Sequence, residues 1–233
     1  MSRWWKCMGV VGAFVACTAS MAAAADTPVK KEGFGPYLSL YGGVAIPETL
    51  DNGTYSGRVG GLTLSSRPIG DLKLKTGSIF GAKVGLMGHS KDAVWRYFGM
   101  ELDVSATSTA VKSQPLRIAG FNSLPIPETD LTFLTGALHF LAKVADGPVQ
   151  PYIGIGPAVV HGKLDAIRTS ALTVGDQSAT ALGLSAIAGM RVKLAEQFAA
   201  FLEYKHIRAS MDFDHVSGDA VIHAGVGGFS VLF

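Results

Sequence analysis

The sequence predicts an all-β fold: an eight-stranded antiparallel transmembrane β-barrel that follows a cleaved N-terminal signal peptide. Three observations predict it. The last strand-like stretch, residues 220–233, alternates two faces of apolar and small residues and ends on the aromatic Phe233. Seven further strand-like stretches precede it, each long enough for a tilted strand to cross a bilayer. The connections between the stretches alternate between long and short, as they do in outer-membrane barrels.

Residues 1–25 have the pattern of an export signal. Arg3 and Lys6 supply the positive first region, and an apolar core and a run of small residues follow. The apolar core is shorter than the ~20 residues of a membrane-spanning helix, so the pattern favours a cleaved signal peptide. The mature barrel domain would then comprise residues 26–233. Lipoprotein processing at Cys17 is the alternative route.

The composition excludes several classes of protein. Both cysteines, Cys7 and Cys17, lie in the export segment, so the mature chain would need no disulfide. Removing Arg3 and Lys6 from the 20 basic residues leaves 18, against 18 acidic residues. This balance argues against a nucleic-acid partner. Positive mean hydropathy, 29 glycines and no later run of 18 apolar residues are typical of a transmembrane β-barrel.

Eight strand-like stretches share a poor helical periodicity, and glycine recurs within them. They run over about Gly35–Val44, Thr76–Gly88, Tyr97–Thr107, Thr129–Lys143, Gln150–Val160, Ala179–Leu194, Phe198–Phe213 and Ala220–Phe233.

The connections divide into two sets by length. We expect the long set and a short fourth loop outside the cell, at about 45–75, 108–128, 161–178 and 214–219. We expect the short set in the periplasm, at 89–96, 144–149 and 195–197. A periplasmic β-sandwich is the alternative fold, but a sandwich gives no reason for this alternation.

The two faces of the stretches differ in polarity, since side chains alternate along a strand. One parity is apolar and is predicted to face lipid, as in Leu40, Phe80, Leu102, Leu184 and Leu202. The opposite parity is predicted to face the interior and carries Lys83, Glu101, Asp103, Ser105, His139, Tyr152, Ser185, Arg191, Glu203 and Lys205. Trp95, Phe98, Phe198 and Phe233 stand where a periplasmic aromatic girdle is expected.

Several motifs resemble a known family. They are Gly-Pro-Tyr-Leu-Ser-Leu-Tyr-Gly-Gly at 35–43, Pro-Tyr-Ile-Gly-Ile-Gly-Pro at 151–157, Phe-Leu-Glu-Tyr-Lys at 201–205, and the terminal Phe233. Over residues 33–233 the chain resembles the small outer-membrane β-barrel proteins of Gram-negative bacteria, of the OmpA-barrel, OmpX and OmpW kind. The resemblance is specific for architecture and nearly silent on activity, because fold does not give function.

The resemblance implies a location and a set of partners. It implies the bacterial outer membrane, contact with its lipid and lipopolysaccharide, and a monomer. It also implies delivery by periplasmic chaperones and recognition of the last strand by the barrel-assembly machinery. The assembly signal would be Phe229, Val231 and Phe233.

The inward charges are the first candidate site. An eight-stranded barrel is just wide enough for its own side chains, so Lys83, Arg191 and Lys205 can pair there with Glu101, Asp103 and Glu203. Such a lumen charge network would act as a structural plug. The alternative is an ion path or small-solute pore lined by the same charges.

The outer end of the seventh stretch is the second candidate. His206 and Ser210 share the outward parity of Leu202, a pattern similar to lipid A deacylases, which place a serine two residues after a histidine. Arg208 occupies that serine's position here, and Ser210 is ~13 Å further along a strand. We therefore expect no catalytic residues, and His206 and Arg208 are predicted to contact lipopolysaccharide phosphates.

No spacing of histidines, carboxylates or glycines predicts a metal or a cofactor. The sequence thus predicts a non-enzymatic outer-membrane barrel with a structural or narrow-permeability role. The alternatives are a small-solute pore and a deacylase-like enzyme that modifies lipid A.

Overall fold

The structure is a computed structural model that describes most of the chain after residue 33. The described ranges are 34–48, 51–59, 62–68, 73–88, 94–116, 124–143, 147–165, 167–168, 173–174, 176–212 and 216–233. The predicted signal peptide and the alternative lipidation site at Cys17 lie outside these ranges.

Within these ranges the chain is built from β-strands. In chain order they are β1 (Phe34–Pro47), β2 (Asp51–Val59), β3 (Leu62–Pro68), β4 (Gly77–Gly88), β5 (Phe98–Val111), β6 (Gln114–Leu116), β7 (Leu124–Ile126), β8 (Thr129–Lys143), β9 (Val149–Leu164), β10 (Ile167–Arg168), β11 (Thr173–Val174), β12 (Gln177–Lys193), β13 (Phe198–Asp212) and β14 (Val216–Leu232). One turn of 3-10 helix, Val94–Tyr97, precedes β5. Among the described residues, no helix is long and apolar enough to cross a membrane.

Eight of these strands close an antiparallel barrel, as predicted. Neighbours pair in the order β1-β4-β5-β8-β9-β12-β13-β14, and β14 pairs back to β1. Closure occurs over a long register that runs from Tyr37 opposite Leu232 to Pro47 opposite Ile222. The apolar last strand therefore pairs on both sides, with β13 and with β1, and the barrel has no open edge in this region.

Five of the eight wall strands, β1, β5, β9, β12 and β14, extend further towards the outer connections than the sequence predicts. β5 continues to Val111 and β9 to Leu164, because pairing with β8 continues past the apolar alternation that marks the bilayer. The connection predicted over 45–75 contains β2 and β3, which pair with each other, and β2 extends the sheet at the outer end of β14. Short ladders β6–β7 and β10–β11 lie within the other two long connections.

The barrel wall separates two environments. Apolar side chains such as Leu40, Phe80, Ile153 and Leu202 are exposed on the outside. The aromatic residues Trp95, Phe98, Phe198 and Phe233 are exposed where the periplasmic girdle was expected. The alternate positions are buried in the interior and include both large apolar residues and charges.

Candidate functional site

The interior charges form the candidate site. The six predicted members of the lumen charge network are all buried, with Lys83 only 2% exposed. They come from β4, β5, β12 and β13, which lie on different sides of the ring of eight strands. The full set is Lys83, Glu101, Asp103, Arg191, Glu203 and Lys205.

Lys83 holds two carboxylates together. Its Nζ donates to Glu203 at 2.6 and 2.7 Å and to Glu101 at 3.0 Å, and lies 3.8 Å from Asp103. Glu101 and Glu203 come from β5 and β13, so the ammonium group links two distant parts of the wall. A charge buried this deeply is tolerated only when it is paired and hydrogen-bonded, and Lys83 meets both conditions.

Lys205 forms a second bridge, between opposite sides of the barrel. Its Nζ donates to a carboxylate oxygen of Asp103 and, at 2.6 Å, to the hydroxyl of Tyr41. The Tyr41 hydroxyl in turn donates to the other Asp103 oxygen at 2.6 Å. Since β5 and β13 are four strands apart in a ring of eight, this bridge spans the lumen.

Three tyrosines complete the network, each by donating a hydrogen bond from its hydroxyl to one of the buried carboxylates. The hydroxyls of Tyr37 and Tyr152 donate to Glu101 at 2.6 Å and to Glu203 at 2.7 Å, as Tyr41 donates to Asp103. Each tyrosine stands directly opposite an inward glycine of the neighbouring strand. The pairs are Tyr37–Gly85, Tyr41–Gly81 and Tyr152–Gly189. A Cβ at any of these glycines would collide with the tyrosine ring, so the glycines leave the space in which the rings lie.

Arg191 differs from the prediction. It was expected to pair with a carboxylate, but its guanidinium lies over the ring of Tyr37, 4.2 Å from the centroid, and 5.8 Å from that of Tyr152. Its Nε has no hydrogen-bond partner among the described residues. Glu203, one of the three carboxylates predicted as possible partners of the basic residues, is taken by Lys83 and Tyr152. Arg191 therefore contributes cation–π contacts to the network.

A histidine and a serine lie beside the charges. Nε2 of His139 is 2.9 Å from Oγ of Ser185, and Nδ1 is 3.6 Å from Oε1 of Glu101. Serine, histidine and carboxylate thus stand in the order that serine hydrolases use. The Glu101–His139 distance is too long for a hydrogen bond, and Ser185 is 1% exposed.

Glu101, Asp103 and His139 also bring three potential metal-ligand atoms within 4.8 Å of one another. Two ammonium groups already lie against these carboxylates, Lys83 at Glu101 and Lys205 at Asp103. The positive charge that a metal ion would supply is therefore already provided by the chain.

Apolar clusters lie on both sides of the charged layer. The cluster towards the long connections includes Ile79, Phe133, Ile207, Met211 and Ile222, all buried. The cluster towards the periplasm consists of Tyr37, Met87, Leu141, Tyr152 and Ile187. The ammonium groups of Lys83 and Lys205 therefore lie between two clusters of packed side chains, whereas Arg191 packs against Tyr37 and Tyr152 of the periplasmic cluster.

The outer end of β13 carries the second set of candidates. The ring of His206 packs against that of His223 of β14 at an interplanar angle of 53°, with ring centroids 4.9 Å apart. His223 hydrogen-bonds the Tyr204 hydroxyl through Nδ1 and lies 2.9 Å from a Glu48 oxygen through Nε2. We call Glu48, Tyr204, His206, Arg208, Ser210, Asp219 and His223 the outer polar cluster.

Ser210 and Arg208 share one partner in this cluster. The Ser210 hydroxyl donates to Asp219 at 2.6 Å, and Arg208 lies 3.4 Å from the same carboxylate. Ser210 is thus bonded to Asp219 and not to His206. Of the three predicted assembly residues, Phe229 and Val231 lie on the outer face of β14, and Phe233 follows its last residue. Phe229 and Phe233 are exposed and Val231 is half-buried.

Sequence reasoning missed the roles of Tyr37, Tyr41, His223 and Glu48. The two tyrosines share the parity opposite to Leu40, which places them inside, so alternation alone could have found them. Glu48 and His223 are 175 residues apart, and only the register of β1 against β14 brings them together.

A family model for the outer membrane protein beta-barrel domain matches residues 11–228. The chain belongs to this family. Its location is accordingly the bacterial outer membrane, in contact with membrane lipid. No curated protein matches the chain.

Several solved barrels resemble this family member in structure. One is Ail of Yersinia pestis, solved with the heparin analogue sucrose octasulfate, with 14% identity, 87% of this chain and 100% of that chain covered, and a TM-score of 0.47. Neisserial surface protein A has 12% identity, 85% and 97% coverage and a TM-score of 0.48. OprG of Pseudomonas aeruginosa has 15% identity, 88% and 99% coverage and a TM-score of 0.43. Similarity at this level carries no ligand or activity over to this chain.

Proposed function

We propose that this protein is a structural, non-conducting and non-enzymatic barrel of the outer membrane. The observation that carries the proposal is the pair of bridges across the lumen, Lys83 to Glu101 and Glu203, and Lys205 to Asp103. The side chains that form these bridges fill the middle of the barrel interior.

The apolar clusters on both sides of the charged layer support the same function. An ion crossing the barrel would have to leave water at Phe133, Ile207 and Met211 before it reached the charges. Moving an ion into such surroundings is costly unless it is paired, and the interior charges are already paired with each other. The bridges therefore serve to hold opposite sides of the wall together.

Planar-bilayer recording tests the absence of conductance. The wild-type protein is expected to give no stable steps. A variant that opens both bridges, Lys83→Met with Lys205→Met, tests whether they seal the barrel, provided that its heat-modifiable gel mobility shows a folded protein. Stable wild-type steps whose ion selectivity changes in Glu203→Gln would instead establish the small-solute pore.

The buried state of Ser185 supports the absence of enzymatic activity. Its hydroxyl has the His139 partner that a nucleophile needs, but no solvent reaches it, and Glu101 is already bonded to Lys83 and Tyr37. At the outer surface, Ser210 bonds Asp219.

Two measurements test the absence of enzymatic activity. A fluorophosphonate probe should leave the folded protein unlabelled, and overexpression should leave the mass of lipid A unchanged. Labelling that disappears in Ser185→Ala would locate a nucleophile in the lumen. Loss of an acyl chain from lipid A would establish the deacylase-like alternative.

A further inference from the structure

Two histidines and a glutamate meet on the outside of the barrel, within the outer polar cluster. His206 of β13 and His223 of β14 stand directly opposite each other in the strand register, and their ring centroids are 4.9 Å apart. Glu48 follows the last residue of β1, the strand on the other side of β14, and its Oε1 lies 2.9 Å from Nε2 of His223. The pairing of β1, β13 and β14 therefore brings two imidazoles and one carboxylate to the same place.

The distances between these groups match those of ligands on one metal ion. Zinc binds imidazole nitrogen at about 2.0–2.1 Å and carboxylate oxygen at about 2.0–2.2 Å, mostly in tetrahedral geometry. Two such ligand atoms lie ~3.3 Å apart, and two imidazole rings on one ion have centroids ~5 Å apart. The separations of His223 from its two neighbours, 2.9 Å to Glu48 and 4.9 Å to His206, are close to these values.

His223 already has the support that a metal-binding histidine needs. Its Nδ1 is hydrogen-bonded to the hydroxyl of Tyr204. A histidine that binds a metal through one ring nitrogen donates the N–H of the other to a fixed partner, which sets the tautomer and the orientation of the ring. With the proton on Nδ1 and the Tyr204 hydroxyl accepting it, Nε2 presents its lone pair on the side where Glu48 lies.

His206 supplies the second imidazole. Its ring is half-buried and packs against that of His223 at an angle of 53°. No hydrogen bond to the described part of the chain holds its nitrogens, so the ring can turn one of them towards an ion at His223.

The outer carboxylate differs from the interior carboxylates in the charge that faces it. Inside the barrel, the ammonium groups of Lys83 and Lys205 lie against Glu101 and Asp103. Within the ranges that the structure describes, Glu48 pairs with no lysine or arginine, and its one charged contact is an imidazole. Its side chain is 54% exposed, so an ion can reach it from water. A metal ion at this place would supply a positive charge that the chain itself does not.

We propose that Glu48, His206 and His223 form a zinc-binding site on the outer surface of the barrel. Imidazole ligands favour zinc and its transition-metal neighbours over magnesium and calcium, which prefer oxygen. Two histidines and a glutamate can hold zinc with the fourth position open to water. The ion joins the end of β1 to β13 and β14. The site lies outside the wall, so it does not depend on whether the interior conducts.

Zinc binding by the folded barrel tests the site. The mature protein, without a histidine tag, is refolded in detergent, and its zinc affinity is measured by competition with a fluorescent chelator. Tyr204→Phe removes the partner of Nδ1 and should weaken zinc binding about tenfold, and His206→Gln and His223→Gln, which remove ligands, should weaken it by more. His161→Gln changes an exposed histidine of β9 outside the site and should bind as wild type. Heat-modifiable mobility on gels establishes that each variant is folded.

Cobalt(II) gives a second measurement that a merely structural role of these residues would not change. Cobalt can replace zinc in such sites, and its visible absorption is strong when it is four-coordinate and weak when it is six-coordinate. The wild type should show the strong bands, and Glu48→Gln should reduce them while leaving the folded fraction unchanged.

Four results would overturn the proposal. A wild type that binds no zinc would show that the contact between Glu48 and His223 is a hydrogen bond and nothing more. Undiminished zinc binding by His206→Gln and His223→Gln would show that the ion binds elsewhere. Loss of zinc binding in His139→Gln, with wild-type binding in His206→Gln, would place the ion among the interior carboxylates. Calcium that displaces zinc at equal concentration would show that the imidazoles are not ligands.

Discussion

Consecutive residues of β13 take opposite sides of the wall and make two different kinds of contact. Inside, Lys205 bonds Asp103, which is 102 residues away and on the far side of the barrel. Outside, Tyr204 bonds His223 on the adjacent strand, and Arg208 bonds Asp219 eleven residues away. Interior contacts such as Lys205–Asp103 and Lys83–Glu203 join distant parts of the wall, whereas these exterior contacts join neighbouring strands. Loss of an interior contact should therefore destabilise the whole barrel, and loss of an exterior contact should have a local effect.

The largest effect is expected from removing the ammonium group that serves two carboxylates. Lys83→Met leaves Glu101 and Glu203 buried without it and should lower the free energy of unfolding by ~3–5 kcal/mol. Lys75→Met is the matched control, because Lys75 pairs with Glu128 at the exposed surface and should cost ~1 kcal/mol or less. Urea unfolding in lipid vesicles measures both. Equal losses would show that water reaches the interior charges.

A charge placed on the lipid face should give the next largest effect, and its size should depend on depth. Leu202 lies between the girdle residue Phe198 and the outer polar cluster, so Leu202→Arg should cost ~2–4 kcal/mol. Leu184, on the same face of β12, stands directly opposite Arg208. Leu184→Arg should therefore cost only ~1 kcal/mol or less. The same urea titration compares them, and a larger loss at Leu184 would contradict the position of the membrane on the barrel.

The smallest effects on the free energy of unfolding are expected from removing one of two tyrosine hydroxyls, one inside the barrel and one outside. Tyr152→Phe removes an interior hydrogen bond to the Glu203 carboxylate and should cost about 1.5–3 kcal/mol. Tyr204→Phe removes a hydroxyl from the outer polar cluster and should change the free energy of unfolding by ~0.5 kcal/mol or less. A greater loss for Tyr204→Phe would reverse the comparison between the two faces.

Alternation explains why the sequence predicts so much of this fold. Lipid excludes charge from one face of each strand within the bilayer, so the charges in that part of β13 fall at Glu203 and Lys205, with the apolar Leu202 on the other face. The structure has the same two faces. The eight wall strands were predicted for the same reason. The outer ends of five of them were not, because above the bilayer no alternation is required. The hairpin β2–β3 had a readable signal, Gly60-Gly61 between two short strands, which is typical of a two-residue turn.

The partners of each charge could not be predicted, because they depend on how the strands are staggered around the ring. Parity places Arg191 inside but does not say that Tyr37 lies beneath it or that Lys83 reaches Glu203 first. The outer polar cluster depends on the register of β1, β13 and β14 in the same way. A single sequence specifies which face of the wall a residue occupies, but it does not specify which residue it contacts across the lumen.

The most direct test of the bridges across the lumen is a double-mutant cycle on Asp103 and Lys205. Asp103→Asn, Lys205→Met and the double variant are unfolded in urea from lipid vesicles. Because the two groups contact each other across the barrel, the double variant should lose less stability than the sum of the single variants, by ~1–3 kcal/mol. Additive losses, with a coupling energy near zero, would show that the two walls are not joined and would contradict a closed interior.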